Sequence, residues 1–440
     1  MTPTSWKRHP LHTIGKNSRT GRLITNFLST AYYTAPKKEL KESIKDYCDT
    51  RLKEAAEQNA SLDWCRRHVN DKRAVTTVMR DENGRQETAR TKIEKIVVDF
   101  NSNLYSSSTT VPRAPTPTQQ QLPEILESEI RHVIKQLKPK TATGPDQVSG
   151  DILKAPSDTI IQKLAGQRRT RSHKNYRPIA LLSQPYKLFT KNIFNRLEKT
   201  LDEFQPVEQA GFRKKFSCID HIHTVTQLIE RQRECKQPLY LCFIDYAKAF
   251  DSVELDAVWN ALNNAGVDAE YINLLEECNM GTTTKIKRFM KKLTIPIGKG
   301  VRQGDTISPK LFTAALQHAM NNFDWEDKGI MIDGKKLKNL RFADDIVLIS
   351  HSSAELQSMV NDLDKVGKAI GLEMNRSKTE VMRNSWTTAN IITVGGIPLP
   401  YVDKYIYLGR LVFMDNNLKA EISRRRSSAW AAMSSIKEAT

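Results

Sequence analysis

Two adjacent acids, Asp344 and Asp345, interrupt a stretch otherwise suited to burial, with Asn339-Leu340-Arg341 and then Phe342-Ala343 before them and Ile346-Val347-Leu348-Ile349 after. Short strand-like runs on both sides of a charged pair predict a β-hairpin that carries the two carboxylates at its turn. Aspartate also favours turns for its own backbone hydrogen bonds, so the hairpin alone leaves a solvated turn and a chemical site equally open. A second segment bears on the choice. Leu239-Tyr240-Leu241-Cys242-Phe243-Ile244 reads as a buried strand and ends abruptly on Asp245, where a charge is costly unless something pairs with it. If Asp245 converges with the hairpin acids, the three make a hard, oxygen-only, negatively charged cradle, which Mg2+ accepts when substrate phosphates supply its remaining ligands. Two such ions roughly 3.5 to 4 Å apart can activate an attacking hydroxyl and stabilise a leaving oxygen, so phosphoryl transfer here requires no His, Cys or Ser nucleophile.

Three segments then carry a resemblance: Phe243-Ile244-Asp245-Tyr246-Ala247-Lys248-Ala249-Phe250-Asp251, Gly300-Val301-Arg302-Gln303-Gly304-Asp305-Thr306-Ile307-Ser308-Pro309, and Phe342-Ala343-Asp344-Asp345. In this order they resemble successive motifs of the reverse transcriptases of non-LTR (LINE-like, RTE-type) retrotransposons. Asn175-Tyr176-Arg177-Pro178-Ile179 precedes them, and Gly371-Leu372-Glu373-Met374-Asn375, Lys378-Thr379-Glu380 and Tyr407-Leu408-Gly409 follow, so the match runs over roughly residues 175–412. The resemblance implies an α+β right-hand polymerase with an antiparallel palm sheet, abbreviated fingers and a partial thumb, as in a fragmentary copy. It implies RNA-directed addition of deoxynucleotides to a DNA primer, with Mg2+ or Mn2+ as cofactor and an RNA template, a DNA primer and dNTP as partners.

The resemblance also assigns roles. Asp245, Asp344 and Asp345 would be catalytic metal ligands, with the backbone carbonyl of Tyr246 added to one metal, and Lys378 a general acid toward the leaving pyrophosphate. Phe250 would lie under the incoming sugar, while Gln303 and Gly304 would sit beneath the templating base pair. Lys140, Arg177, Arg213 and Arg302 would contact nucleic acid. Two other readings stay open: a degraded, noncatalytic nucleic-acid-binding remnant, and a group II intron maturase-like reverse transcriptase.

Composition agrees with a polyanionic partner. In 440 residues Lys and Arg number 68 against 50 Asp and Glu, a net charge of +18. No apolar run reaches the roughly 18 to 20 residues needed to span a bilayer, and no signal-peptide core follows Trp6-Lys7-Arg8-His9. The 6 cysteines show no C-x-x-C spacing, which fits a reducing, intracellular setting, with cytoplasm and nucleus expected from the family.

Along the chain, residues 1–105 read as a polar, mostly helical spacer with helical patches at 37–57 and 91–104 and a turn signal at Asp81-Glu82-Asn83-Gly84. Residues 106–121, rich in Ser, Thr, Pro and Gln, read as a linker. Fingers and palm are expected over 122–413 and the start of a thumb over 414–440. Lys140 lies in a loop, Lys140-Thr141-Ala142-Thr143-Gly144-Pro145-Asp146, that resembles the entry to the fingers. Residues 163–177 hold six cations and no acid where the family carries several tens of residues more, and residues 281–304 hold seven cations and no acid. Both stretches read as phosphate-facing surface. His221 and His223 are not read as a metal site. After Asp245 a turn leads into a helix capped by Asp251 or Ser252 and ended by Gly266. Ser308-Pro309 opens the next long helix, and residues 355–370 form an amphipathic helix covering the palm.

Overall fold

The computed structural model describes residues 79–80, 85–87, 89–115, 123, 125–137, 182–288, 291–388 and 390–437. These fall into two compact units, residues 125–137 with 182–189 forming one and the remainder the other. In the first, the helix Glu127–Gln136 buries Ile130, Val133 and Ile134 at helical spacing. Its start is fixed by Glu129, whose carboxylate accepts the Leu126 N–H at 2.8 Å.

The second unit is organised on a four-stranded antiparallel sheet. Its strands are β1 (Tyr240–Ile244), β2 (Asn339–Phe342), β3 (Asp345–Ser350) and β4 (Glu380–Arg383), in the spatial order β4-β1-β3-β2. The strands are apolar because both sheet faces are covered. Leu241, Phe243, Leu340, Val347, Ile349 and Met382 alternate onto one face and pack with Val225, Leu228 and Ile229 of helix α2 (Cys218–Glu234), following α1 (Arg90–Tyr105), and with Tyr407 and Val412 of a C-terminal hairpin. Tyr240, Cys242, Ile244, Ile346 and Leu348 are buried on the other face. Each such side chain contributes about 1.5–3 kcal/mol by leaving water. On β1 and β3 charges are therefore confined to the ends, where Asp245 and Asp345 lie.

Helices support the sheet in the order the sequence predicts. α3 (Leu255–Asn264) is closed by Gly266, whose N–H reaches Asn263 O at 3.0 Å while Val267 N–H reaches Leu262 O at 3.0 Å. Its cap is Glu254, not Asp251 or Ser252, because a separate turn of helix, Ala249–Ser252, comes first. α4 (Ala269–Asn279) follows, and α5 (Ser308–Met320) has Pro309 in its first turn and packs against α3. α6 (Ser353–Ala369), capped by the Ser352 hydroxyl accepting from Glu355 N–H at 3.2 Å, lies against β1 and β3. Beyond the hairpin formed by Lys404–Tyr407 and Arg410–Phe413, Leu418–Lys437 is helical. No helix among the described residues is long and apolar enough to cross a membrane.

The described upstream residues pack against the rest of their unit. Val97 and Tyr105 of α1 form a core with Ile286, Leu293 and Ile295 of the antiparallel hairpin Thr283–Arg288 and Lys291–Pro296. Residues 106–115 then run along α3 and α4, held by polar groups. Glu254 accepts from the Ser107 hydroxyl at 2.8 Å and from Ser108 N–H at 3.3 Å. Asn260 accepts from Ala114 N–H at 2.9 Å and donates to Pro112 O at 2.7 Å, and Arg113 makes a two-pronged pair with Glu276 at 3.0 and 2.7 Å. Low apolar content measures only what a segment buries by itself; for residues 106–115 other elements supply the hydrogen-bond partners.

Candidate active site

Asp245 is held by its own backbone. Its N–H donates to the Thr379 hydroxyl at 3.3 Å and its carbonyl accepts from Asn375 N–H at 2.7 Å. The next residues continue this pairing: Tyr246 bridges Met374, and Ala247 N–H reaches Glu373 O at 2.8 Å. The β1–β3 register ends at Ile244↔Ile346, so Asp245 and Asp345 are the next residues out on adjacent strands and share a face. Their fields meet at Tyr405, which stacks on Phe243 at 4.0 Å. Burial first, then Asp345 and Asp245, push its phenol upward. Lys378 completes this corner, its Nζ lying 3.3 Å from Asp245 Oδ2 with the side chain 65 % exposed.

The hairpin forms as the sequence predicts, with Ala343 and Asp344 as its two-residue loop and Phe342 paired with Asp345. Only Ala343 of the loop has positive φ, +60°, the pattern of a type II′ turn in which glycine normally takes that place. A strained alanine persists only if its surroundings hold it. Gln209 does so: its Oε1 accepts from Ala343 N–H at 3.0 Å and from Gly211 N–H at 2.8 Å. The main chain adds Ala210 N–H to Arg341 O at 2.9 Å and Arg341 N–H to Glu208 O at 2.8 Å. A side chain at Gly211 would collide with the Ala343 nitrogen, so the segment from 208 to 211 lies flat on the acidic turn. The close neighbour of Gly211 is the turn itself.

Phe250 and Gln303 belong to one tied block. The Phe250 ring stacks on buried Phe312 at 4.6 Å and meets Phe212 edge-on at 6.2 Å. Val301 N–H donates to Phe250 O at 2.7 Å, Gly300 N–H to Val253 O at 2.8 Å, and Gln303 Nε2 to Asp251 Oδ2 at 3.1 Å. Gly300, at φ +86°, leaves no room for a side chain over the Asp251 backbone. Asp251 is only 3 % exposed, and burial pushes its carboxyl up to about 7 against the opposing pull of Lys248. An unfolded-chain Asp ionises near about 3.9. Between these values only the unfolded state loses its proton, so stability is greatest below the lower value and falls as pH rises through about 7. Asp251→Asn keeps an acceptor for Gln303 without the charge. It is expected to melt above the parent chain at pH 8, by on the order of a few kcal/mol, with the difference vanishing near pH 4 in thermal unfolding.

Other predicted residues are placed as follows. Arg213 donates to the carbonyls of Pro206, Gln209 and Asp202 at 2.6, 3.1 and 3.3 Å, which braces the loop before the acidic turn. Arg302 donates to Cys278 O at 2.9 Å, and Gly304 has φ +100°. Lys140 and Arg177 lie outside the described residues, as does the basic stretch at 163–177. His221 is a core residue: its Nδ1 is 3.4 Å from the Tyr407 hydroxyl, and burial pushes it down to about 4. Among the described residues no group of three or more His, Cys, Asp and Glu side chains is gathered around a point as a metal site. The donors at the sheet end are carboxylate and carbonyl oxygens, the set that suits a hard divalent cation. Gln209, Asp251 and Glu254 were not singled out as working residues; their partners are 134, 52 and 147 residues away, and no local pattern announces such pairs.

Residues 162–410, more than half of the chain, match the family described as "Reverse transcriptase (RNA-dependent DNA polymerase)". The chain belongs to the reverse transcriptase family. An uncharacterised transposon-derived protein of Caenorhabditis elegans is 42 % identical to this reverse transcriptase-family chain over 113 residues, 25 % of this chain and 40 % of that protein. A retrovirus-related Pol polyprotein from the type-1 retrotransposable element R2 of Nasonia vitripennis is 26 % identical over 249 residues, covering 53 % and 24 % of the two chains. The RNA-directed DNA polymerase from mobile element jockey of Drosophila funebris is 24 % identical over 347 residues, covering 69 % and 37 %. The chain thus spans between about a quarter and two fifths of the length of these relatives. Among solved structures, apo telomerase from Candida tropicalis truncated from its C-terminal domain aligns at a TM-score of 0.40 and 12 % identity, over 62 % of each chain.

Proposed function

We propose that this chain carries the RNA-directed DNA polymerase activity of a non-LTR retrotransposon, transferring a deoxynucleotide to a primer 3′-hydroxyl opposite an RNA template inside the cell. The observation that carries the reading is the register that sets Asp245 beside Asp345, with Asp344 in the adjoining turn and Lys378 on Asp245. Asp245, Asp344, Asp345 and the Tyr246 carbonyl would hold Mg2+, or Mn2+ in its place. When bound, the cation neutralises charge on the transferring phosphoryl group and favours ionisation of the attacking hydroxyl. Mg2+ takes one or two carboxylates and completes its shell with phosphates and water, so an open acidic corner suits it better than a closed cage.

The chain's own residues then divide the remaining work. Lys378, on a flexible exposed stem, reaches from Asp245 toward a leaving pyrophosphate and gives it a proton. Phe250, backed by Phe312, presents its ring beneath the sugar. Gln303 and Gly304 lie under the templating base pair, their loop fixed to Asp251. Arg302, Arg213, Lys140 and Arg177 supply charge for nucleic-acid phosphates, Arg213 while also bracing its loop. With a net charge of +18, affinity for a template–primer is expected to fall steeply and log-linearly as salt rises, with weak sequence preference, in a fluorescence-anisotropy titration.

The reading is tested by extending a DNA primer annealed to RNA. Products whose first added nucleotide follows the template base are expected. Tight template–primer binding with no extension under any divalent cation would instead support a noncatalytic binding protein.

A further inference from the structure

We infer that Gln209 is a positioning residue for the acidic turn, holding Asp344 and Asp345 at the height that nucleotidyl transfer requires; this rests on the function proposed above. Three independent features converge on it. Its amide oxygen accepts two backbone N–H groups, Ala343 at 3.0 Å and Gly211 at 2.8 Å, so one buried side chain ties two chain segments together. The residue it holds, Ala343, occupies a conformation that an L side chain rarely adopts, and nothing in alanine favours φ +60° over relaxation. Gly211 lies so close that a single methyl would displace the turn.

The chemistry of the clamp is specific. Gln209 is 1 % exposed, and its Nε2 has no hydrogen-bond partner among the described residues, so the side chain forgoes bonds to its own amide group while meeting those of the turn. A side chain selected only to pack here would be apolar. Losing the oxygen would leave the Ala343 N–H buried and unpaired, because Ala343 is itself buried, and the loop could regain a partner only by moving. Asp344 and Asp345 are the next two residues, so any such movement carries both carboxylates. Arg341 anchors the base of the same hairpin through its backbone bonds to Glu208 and Ala210. Gln209 touches no reacting atom. It acts through the backbone.

The test compares Gln209→Met, which keeps volume and removes the acceptor, with Gln209→Glu, which restores one, and places Gln209→Met also on Ala343→Gly, where the turn conformation costs no strain. Two readouts are taken on the full chain: hydrogen exchange of the Ala343 amide, and single-nucleotide addition with kcat and KM separated. Gln209→Met is expected to speed exchange at Ala343 at least tenfold and to lower kcat ten- to a hundredfold. Template–primer affinity should stay within about twofold, Gln209→Glu should recover most of the kcat, and Ala343→Gly should recover part. Unchanged exchange at Ala343 in Gln209→Met overturns the inference. Equal loss of kcat, binding and melting temperature in the Met and Glu variants also overturns it, since it marks a merely structural role. If the parent chain adds no nucleotide, the polymerase reading fails while the exchange readout still decides whether Gln209 holds the turn.

Discussion

Asp344→Asn is expected to abolish nucleotide addition while leaving folding and template–primer binding near parental levels. The substitution keeps the volume and one acceptor oxygen of a residue in a two-residue loop, and asparagine is well tolerated in such turns. It removes one of the three negative charges that the strand register places at the same end of the sheet. On the proposed function, a hard divalent cation would be held there by charge on oxygen rather than by shape. The expected loss in kcat is at least about a thousandfold, equivalent to about 4 kcal/mol in transition-state stabilisation. Parallel steady-state extension, anisotropy and thermal melts separate the outcomes. A variant that still extends within tenfold of the parent removes Asp344 from the chemistry, and one that loses binding and melting temperature in step reports misfolding.

Phe250→Val is expected to change which sugar the site accepts. The ring is half-buried, with one face against Phe312 at 4.6 Å and an edge toward Phe212 at 6.2 Å, so it is a rigid surface and not a mobile lid. Its backbone carbonyl is tied to Val301, which places it at the junction between the Asp245 strand end and the Gln303 loop. On the proposed function, a ring there would exclude a 2′-hydroxyl by bulk alone. Valine should therefore leave deoxynucleotide addition measurable and raise ribonucleotide addition relative to it by one or more powers of ten, each worth about 1.4 kcal/mol. Truncating an aromatic stack also costs stability, here about 2 to 4 kcal/mol. Relative rates with the two nucleotide types, normalised to folded protein, isolate the gate from the packing loss. A lowered melting temperature with an unchanged ratio assigns Phe250 to the core only.

What the sequence made legible follows from burial. β1 and β3 are covered on both faces, so their residues are continuously apolar and an acid stands out wherever a strand ends; Asp245, Asp344 and Asp345 were visible for that reason. α6 repeats Leu356, Val360 and Leu363 on one side, and Gly266 and Gly371 mark ends because only positive φ closes those turns. The bonds that fix the site were not legible. Gln209 reads as one polar residue before an Ala-Gly pair, and its role emerges only when Ala343 folds back onto it across 134 residues. Asp251 looks like an exposed helix cap until Gln303 and Tyr105 enclose it. The packing of residues 106–115 was not legible because its partners are the side chains of Glu254, Asn260 and Glu276, not its own composition.

The central claim is that Asp245, Asp344 and Asp345 jointly support template-directed, divalent-cation-dependent nucleotidyl transfer. Its most direct test is single-nucleotide extension of a labelled DNA primer on an RNA template across a Mg2+ titration, beginning in excess chelator. The account predicts no product in chelator and a product that rises with Mg2+, its added base complementary to the template. A yield independent of the cation, or an added nucleotide indifferent to the template base, would contradict it.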